Sequence, residues 1–372
     1  MNDITRTLNL EPILVKAAKG EILSKPEIIF LLSLSTEEEL AALFHTARET
    51  RARHFSNKLF LYGFVYFSTW CRNDCTFCYF RKSNGLPHRY RKTDQEIVEA
   101  AARLAESGVH LIDLTLGEDP FYHHNGDGIH SLAKLVQAVK SQTSLPVMIS
   151  PGVVSQRGLE EFAQAGADWY ACYQETHNRQ LFSSLRLKQS YDRRYLSKKH
   201  AVGHGLLIEE GILAGVGESL ADIADSLEEM RELGAHQVRV MSFVPQEGSS
   251  MSAWPTPDRM KELKIIAIMR LLFPERLIPA SLDVDGVEGA QARINAGANV
   301  ITSLIPPQLG LAGVAQSTKG IDEGHRTVEG ILPILERMNL TAATAEEYKA
   351  WVDKERASLG LVNLVGEFGG LR

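Results

Sequence analysis

From Leu59 onward, short apolar runs rich in β-branched and aromatic residues alternate with amphipathic stretches at helical spacing, and this rhythm restricts the fold more than any other feature. The runs are Leu59–Phe67, Val109–Leu116, Pro146–Ser150, Trp169–Tyr173, Leu206–Leu213, Gln237–Phe243, Leu277–Leu282 and Asn299–Leu304. Strands buried on both faces read as short continuous apolar runs, because a parallel sheet covered by helices shows neither face to water. Asp94–Ser107, Leu132–Ser141, Leu220–Leu233 and Pro257–Leu272 supply helical patterns between them. Eight such units predict an α/β fold, a (β/α)8 TIM-type barrel, better than a doubly wound open sheet. A hydrophobic content of 44% in 372 residues is enough for its core.

The flanks read differently. The first 55 residues look helical: Ser35-Thr-Glu-Glu38 is a capping-box pattern, followed by an apolar stripe of Leu40, Leu43, Phe44 and Ala47. The expected organisation is a helical extension over 1–55, a barrel over 56–340, and a C-terminal helix and tail over 341–372. In that tail Ala345–Ala357 reads as helix, and the segment from Leu359 to Gly370 reads as a loosely ordered end. A net charge of −6 and a pI near 6.1 give no broad footprint for nucleic acid or membrane. Without a signal-peptide pattern or a long apolar run, the expected location is the cytoplasm.

Chemistry gathers where a barrel places it. The strand ends carry Thr115-Leu-Gly-Glu-Asp119, Ser150-Pro-Gly152, Gln174-Glu-Thr176, Gly215-Val-Gly-Glu218, Ser281-Leu-Asp283 and Thr302-Ser303, as the C-terminal face of a barrel requires. Directly after the first run come Cys71, Cys75 and Cys78, spaced C-x3-C-x2-C, so that three thiolates can converge from one loop onto one metal centre. A complete [4Fe–4S] ligand set normally uses four cysteines. Three leave a position open, as in a catalytic rather than a structural zinc site. A zinc ion with His88 as fourth ligand is the alternative reading. A disulfide framework fits poorly with four cysteines in a chain of this length. Cys172, inside the apolar stretch Asp168–Tyr173, reads as a small core residue.

The cysteine stretch, with Phe77 before its last thiol, resembles the C-x3-C-x-aromatic-C signature of the radical S-adenosylmethionine (SAM) superfamily. The resemblance implies that Cys71, Cys75 and Cys78 hold a [4Fe–4S] cluster. SAM would chelate its fourth iron, with Phe77 and Tyr79 near the adenine. Gly117-Glu118 resembles the superfamily's Gly-Gly-Glu motif, with Leu116 in place of the first glycine. Gly211-Ile-Leu-Ala-Gly-Val-Gly-Glu218 resembles its G-x-I-x-G-x-x-E pattern, which puts Leu213 against the adenine. Glu175 is expected to take the SAM ammonium or ribose, and Arg186 or Arg194 its carboxylate. Ser150 is a further polar contact. No catalytic side chain is expected beyond the cluster and SAM.

Within the superfamily, Phe67-Ser-Thr-Trp-Cys71, Ile112-Asp-Leu-Thr-Leu-Gly-Glu-Asp-Pro120, Met148-Ile-Ser-Pro-Gly152 and Tyr173-Gln-Glu-Thr176 look like the methylornithine synthases of pyrrolysine biosynthesis. So do Val238–Gly248 and Leu277–Asp283. Biotin synthases and hydrogenase maturases are the relatives with the same barrel. This resemblance implies an isomerase that converts L-lysine to (3R)-3-methyl-D-ornithine, supplied with electrons by a donor such as flavodoxin or ferredoxin. The strand ends offer a matching pocket. Arg239 can fork onto a carboxylate, while Asp113 and Asp283, with Ser281, Thr302 and Ser303, can receive ammonium groups. Two rivals stay open: another radical SAM enzyme of the hydrogenase-maturase type, and a non-catalytic metal-binding scaffold.

Overall fold

The computed structural model describes residues 8–124, 126–306 and 325–368, with the backbone alone over 360–368. The strands are β1 (Lys58–Ser68), β2 (Leu111–Leu116), β3 (Val147–Ser150), β4 (Trp169–Ala171), β5 (Leu207–Ala214), β6 (Gln237–Ser242), β7 (Pro279–Ser281), β8 (Val300–Leu304) and β9 (Thr341–Ala342). They pair in parallel in the order β6-β5-β4-β3-β2-β1-β8-β7, with β9 beside the start of β1. A parallel bridge between Gln237 and Leu277, and the Val238 N–H on the Leu277 carbonyl at 3.0 Å, bring the two edges together. The sheet is thus a nearly closed eight-stranded barrel with all C-terminal strand ends on one face. Each apolar run of the sequence supplies one strand. β7 is shorter than its run because Leu277 turns to β6 while Pro279–Ser281 pair with β8.

Residues alternate across each strand. On β1, Leu59, Leu61, Val65 and Phe67 join the layer under the helices. Phe60, Tyr62, Phe64 and Tyr66 fill the barrel. Its floor packs Phe60, Tyr62, Met148, Trp169, Leu207 and Val300 against Tyr348 and Val352 of the helix Ala345–Phe368. The Tyr62 and Tyr348 hydroxyls meet at 2.7 Å, and Trp169 stacks on Trp351 at 5.9 Å. That helix corrects the expectation of a loose end from Leu359, because it continues through Gly360 to Phe368. Gly360 and Gly366 each cost the helix only about 1 kcal/mol relative to alanine. Gly369 and Gly370 lie outside the described residues.

The N-terminal part forms three helices, Leu10–Ala18, Lys25–Ser33 and Glu37–Phe55. The last is capped by Thr36, whose hydroxyl accepts from the Glu39 N–H while Glu39 returns to the Thr36 N–H. The capping box therefore sits one residue beyond Ser35–Glu38. The buried Arg51 guanidinium donates to the carbonyls of Ile294 (2.6 Å) and Ala298 (3.2 Å), fixing this helix beneath β8. No helix among the described residues is long and apolar enough to cross a membrane.

Candidate active site at the mouth of the barrel

The loop after β1 is organised around Arg89, whose guanidinium donates to the carbonyls of Thr69, Phe80, Arg81 and Asn84 at 2.5–3.1 Å. Gly117 lets this loop lie across the end of β2. A Cβ there would stand 2.4 Å from the Trp70 carbonyl oxygen and 2.9 Å from the Cys71 Cβ. The Arg72 N–H closes the contact on the Glu118 carbonyl at 2.9 Å. Cys75 is buried, Cys71 and Cys78 are half-buried, and none forms a disulfide. Burial pushes the Cys71 thiol up to about 11, and the neighbouring Cys75 adds to the rise. Cys78 is raised further by burial and by both other thiols.

Donors surround these sulfurs. Gln189 Nε2 stands 3.1 Å and Arg186 Nη1 3.7 Å from Cys75 Sγ, and the Asn73 N–H stands 3.5 Å from Cys71 Sγ. N–H groups beside the sulfurs can donate to them once they are cluster ligands. Among the described residues, no three His, Cys, Asp or Glu side chains gather tightly enough to hold a single ion, and His88 is exposed. A cubane spreads its ligands over separate corners, so a three-thiol loop lined with N–H donors suits a cluster better than lone zinc.

Around the ends of β2 to β5 lies a set of buried ion pairs. Glu118 receives Arg194 Nη2 (2.9 Å), Arg72 Nε (3.0 Å) and the Val153 N–H (3.1 Å). Burial alone would raise its carboxyl, but Arg194 and these donors bring it down to about 2. Glu175 takes Arg186 Nη2 at 2.5 Å and sits at φ +67°, a left-handed conformation that costs a non-glycine residue about 1 kcal/mol or more. Gln189 links the groups, because its Oε1 accepts from Arg194 Nη2 at 2.9 Å. The Nε atoms of Arg186 and Arg194 are buried without a hydrogen-bond partner among the described residues. Ser150 ends β3 beside Thr115. Leu213 packs with Val216, Phe243 and Phe77, and the Arg186 guanidinium lies 5.6 Å over the Phe77 ring. Tyr79 packs with Phe64, Tyr66 and Phe80. Cys172 is buried on the helix side of β4, as a core residue should be, and also accepts Arg194 Nη1 at 3.0 Å.

Deeper in the barrel is a second charged layer. Arg239 Nε donates to Glu209 Oε1 at 2.6 Å, and the Tyr173 hydroxyl holds Glu209 Oε2 at 2.8 Å. Asp283 receives Arg326 Nη2 (2.5 Å) and the Ser303 hydroxyl (2.8 Å), with Ser281 and Ser303 3.1 Å apart. Thr302 Oγ1 is buried without a hydrogen-bond partner among the described residues. Asp113 accepts the Thr115 hydroxyl at 2.8 Å. Burial, then the Glu209 charge, lifts Asp113 to about 7 against the pull of Thr115 and Arg239.

The structure thus gathers the predicted residues into two layers, cysteine loop with Glu118, Glu175, Arg186 and Arg194 above, Asp113, Arg239, Asp283 and the hydroxyls below. Sequence reasoning missed Gln189, Tyr173, Glu209 and Arg326. The adjacent acids in Leu207-Ile-Glu-Glu-Gly211, inside an apolar strand, were a usable signal for Glu209. Arg326 lies far from any strand end and gave none.

A family model described as the radical SAM superfamily matches residues 65–243, from within β1 to just past β6. A 3-methylornithine synthase of Methanosarcina acetivorans is 42% identical over 334 residues, covering 90% of this chain and 94% of that protein. The enzyme of the same description from Methanosarcina barkeri is 40% identical over 335 residues, covering 90% and 95%. A solved methylornithine synthase superposes with a TM-score of 0.87 at 40% identity, over 91% of this chain and 99% of that one. Similarity at this level over nearly the whole of both partners is common descent rather than a shared barrel alone, and the chain belongs to the 3-methylornithine synthases of the radical SAM superfamily.

Proposed function

We propose that this chain rearranges the carbon skeleton of L-lysine to (3R)-3-methyl-D-ornithine, the opening step of pyrrolysine assembly. Cys71, Cys75 and Cys78 would hold a [4Fe–4S] cluster, with SAM beside it. Together these groups supply a carbon radical by reductive cleavage of the sulfonium. Glu175, Arg186, Arg194, Glu118, Gly117 and Ser150 line the SAM side, and Phe77, Tyr79 and Leu213 offer surface for its adenine. Below, Arg239 takes the substrate carboxylate, while Asp113 and Asp283 take the ammonium groups with Ser281, Thr302 and Ser303. A small electron carrier such as flavodoxin or ferredoxin delivers the electron.

The observation that carries this reading is the charge layout inside the barrel. Asp113, Glu209 and Asp283 face Arg239 and Arg326. Among the described residues, three carboxylates against two guanidiniums leave one negative charge when Asp113 is ionised. Lysine, with two ammonium groups and one carboxylate, carries the opposite single charge. Anchoring both ends of the substrate keeps its parts in register during a skeletal rearrangement. The floor closed by the C-terminal helix keeps water away from the reacting carbons.

Anaerobic incubation of the reconstituted, reduced protein with lysine and SAM tests the proposal. The expected product has the mass of lysine and a different chromatographic retention. Formation of 5′-deoxyadenosine with lysine left intact would point instead to another small substrate. Cys75→Ala is expected to lose both the brown colour and all turnover; iron content at the wild-type level would refute the cluster assignment.

A further inference from the structure

Behind the barrel wall, outside both charged layers, lies a buried ion pair that the chemistry above does not use. Lys198 and Glu210 are fully buried and bonded to each other between β5 and the helix Tyr191–Gly203. A lysine–glutamate pair in such a place gives up the hydration of two ions, so it is poor evidence of simple stabilisation. Its remaining bonds show where it acts. Glu210 Oε1 accepts from the Gln174 N–H (2.8 Å) and the Gly211 N–H (2.7 Å). Lys198 Nζ donates to the Cys172 carbonyl (3.0 Å) and to Gln174 Oε1 (2.8 Å). Both therefore grip residues 172–174, the segment that leads into Glu175. From there the chain of contacts continues outward. The Glu175 N–H bonds the Gly211 carbonyl and its own carbonyl accepts the Leu213 N–H. Its carboxylate holds Arg186, whose other nitrogen reaches Cys75 Sγ.

We propose that Lys198 and Glu210 are positioning residues for SAM: they clamp the turn after β4 to β5, so that Glu175 keeps its left-handed backbone and aims its carboxylate and Arg186 at the cluster loop. The proposal rests on the reading that Glu175 and Arg186 face SAM. The clamp's side chains lie on the face of β5 opposite Glu209, and within residues 172–174 only Tyr173 turns into the barrel, where it is held separately by Glu209 and lies under Arg239.

Two double variants separate positioning from bulk stability, both free of the buried charges. Lys198→Met with Glu210→Gln keeps an amide oxygen for the Gln174 and Gly211 N–H groups. Its new amide N–H group faces the His177 ring, 3.8 Å from Glu210 and without a hydrogen-bond partner among the described residues. Lys198→Met with Glu210→Leu removes that acceptor. The leucine variant is expected to raise the KM for SAM about tenfold, the scale of a buried donor left unsatisfied. The glutamine variant stays within about threefold of wild type, and the KM for lysine is the same in both. The change that SAM produces in the electron paramagnetic resonance spectrum of the reduced cluster weakens in parallel. Equal shifts in the two KM values, or a wild-type KM for SAM in the folded leucine variant, would overturn the proposal. If the leucine variant does not fold, Gln174→Ala, which removes one of the groups gripped by Lys198, must raise the KM for SAM alone. A wild-type protein whose cluster spectrum ignores SAM would instead sink the functional reading beneath it.

Discussion

Glu209 and Glu210 are neighbours on one strand, equally buried and both paired with a cation, yet they belong to different parts of the enzyme. The two-residue period of a strand sends Glu209 into the barrel, where it holds Arg239 and Tyr173. It sends Glu210 outward, where it holds Lys198 and the backbone after β4. One carboxylate shapes a pocket through side chains. The other shapes a site it never touches through backbone. The contrast shows that burial and charge do not reveal the role of an acid in a strand; its parity does.

The largest effect should come from breaking the inward pair. Arg239→Met leaves Glu209 as an uncompensated buried charge and removes the candidate carboxylate anchor. Breaking a buried pair on one side costs about 3–5 kcal/mol, so kcat/KM for lysine is expected to fall about a thousandfold. The KM for SAM should hold, because among the described residues Arg239 makes its ion pair and ring contact with Glu209 and Tyr173, not with the cluster loop or Glu175. A parallel loss of SAM binding would mean that the two faces of β5 are not separable. Against this, the outward-face variants described above should give the mirror image, with SAM affected and lysine spared.

This division was only half legible in the sequence. Strand spacing, cysteine spacing and the polar strand ends depend on local pattern, and all eight barrel strands and the cysteine loop lie where that pattern put them. Partners are another matter. Arg239 suggested a substrate anchor at a strand end, but it lies inside β6, and its companion Glu209 stands 30 residues away and meets it only through the β5–β6 ladder. Glu118 belongs to a motif resembling one that holds SAM, and Asp283 suggests an ammonium acceptor, but Arg194 and Arg326 already occupy part of each. Even a local motif misleads when frames overlap. Ser35 and Thr36 each have a glutamate three residues on, and the helix begins after the second. Which one caps depends on where the chain turns in from the preceding helix, and that is a tertiary property.

A smaller effect, confined to the inward face, should follow pH. Asp113 is held near 7 by burial and by the Glu209 charge. The lysine ammonium groups remain charged throughout this range. Only the ionised carboxylate accepts an ammonium group well, so raising the pH through 7 should strengthen lysine binding and lowering it should weaken binding. Between pH 8 and pH 6 the KM for lysine is expected to rise about tenfold, the ordinary titration of one group. Asp113→Asn should bind lysine more weakly and lose that slope. The KM for SAM serves as the internal reference and should not share it. A slope that survives the substitution would place the titrating group elsewhere.

The smallest change tests how much of the inward arrangement Glu209 owes to each of its two partners. Tyr173→Phe deletes the hydroxyl on Glu209 Oε2 but keeps the ring that packs against Gly211, where an added Cβ would meet it at 2.9 Å, and that lies 5.7 Å beneath the Arg239 guanidinium. Arg239 still holds the other carboxylate oxygen, so Glu209 stays paired and loses one bond. The expected cost is about 1 kcal/mol, or about fivefold in kcat/KM for lysine. The effect should be far below that of Arg239→Met because no buried ion is left alone. In a cycle with Glu209→Gln the two changes should couple, since the phenol acts only through that carboxylate. Additive losses would show that the Tyr173 hydroxyl meets the substrate directly, and the inward face would then carry one more anchor than its ion pairs reveal.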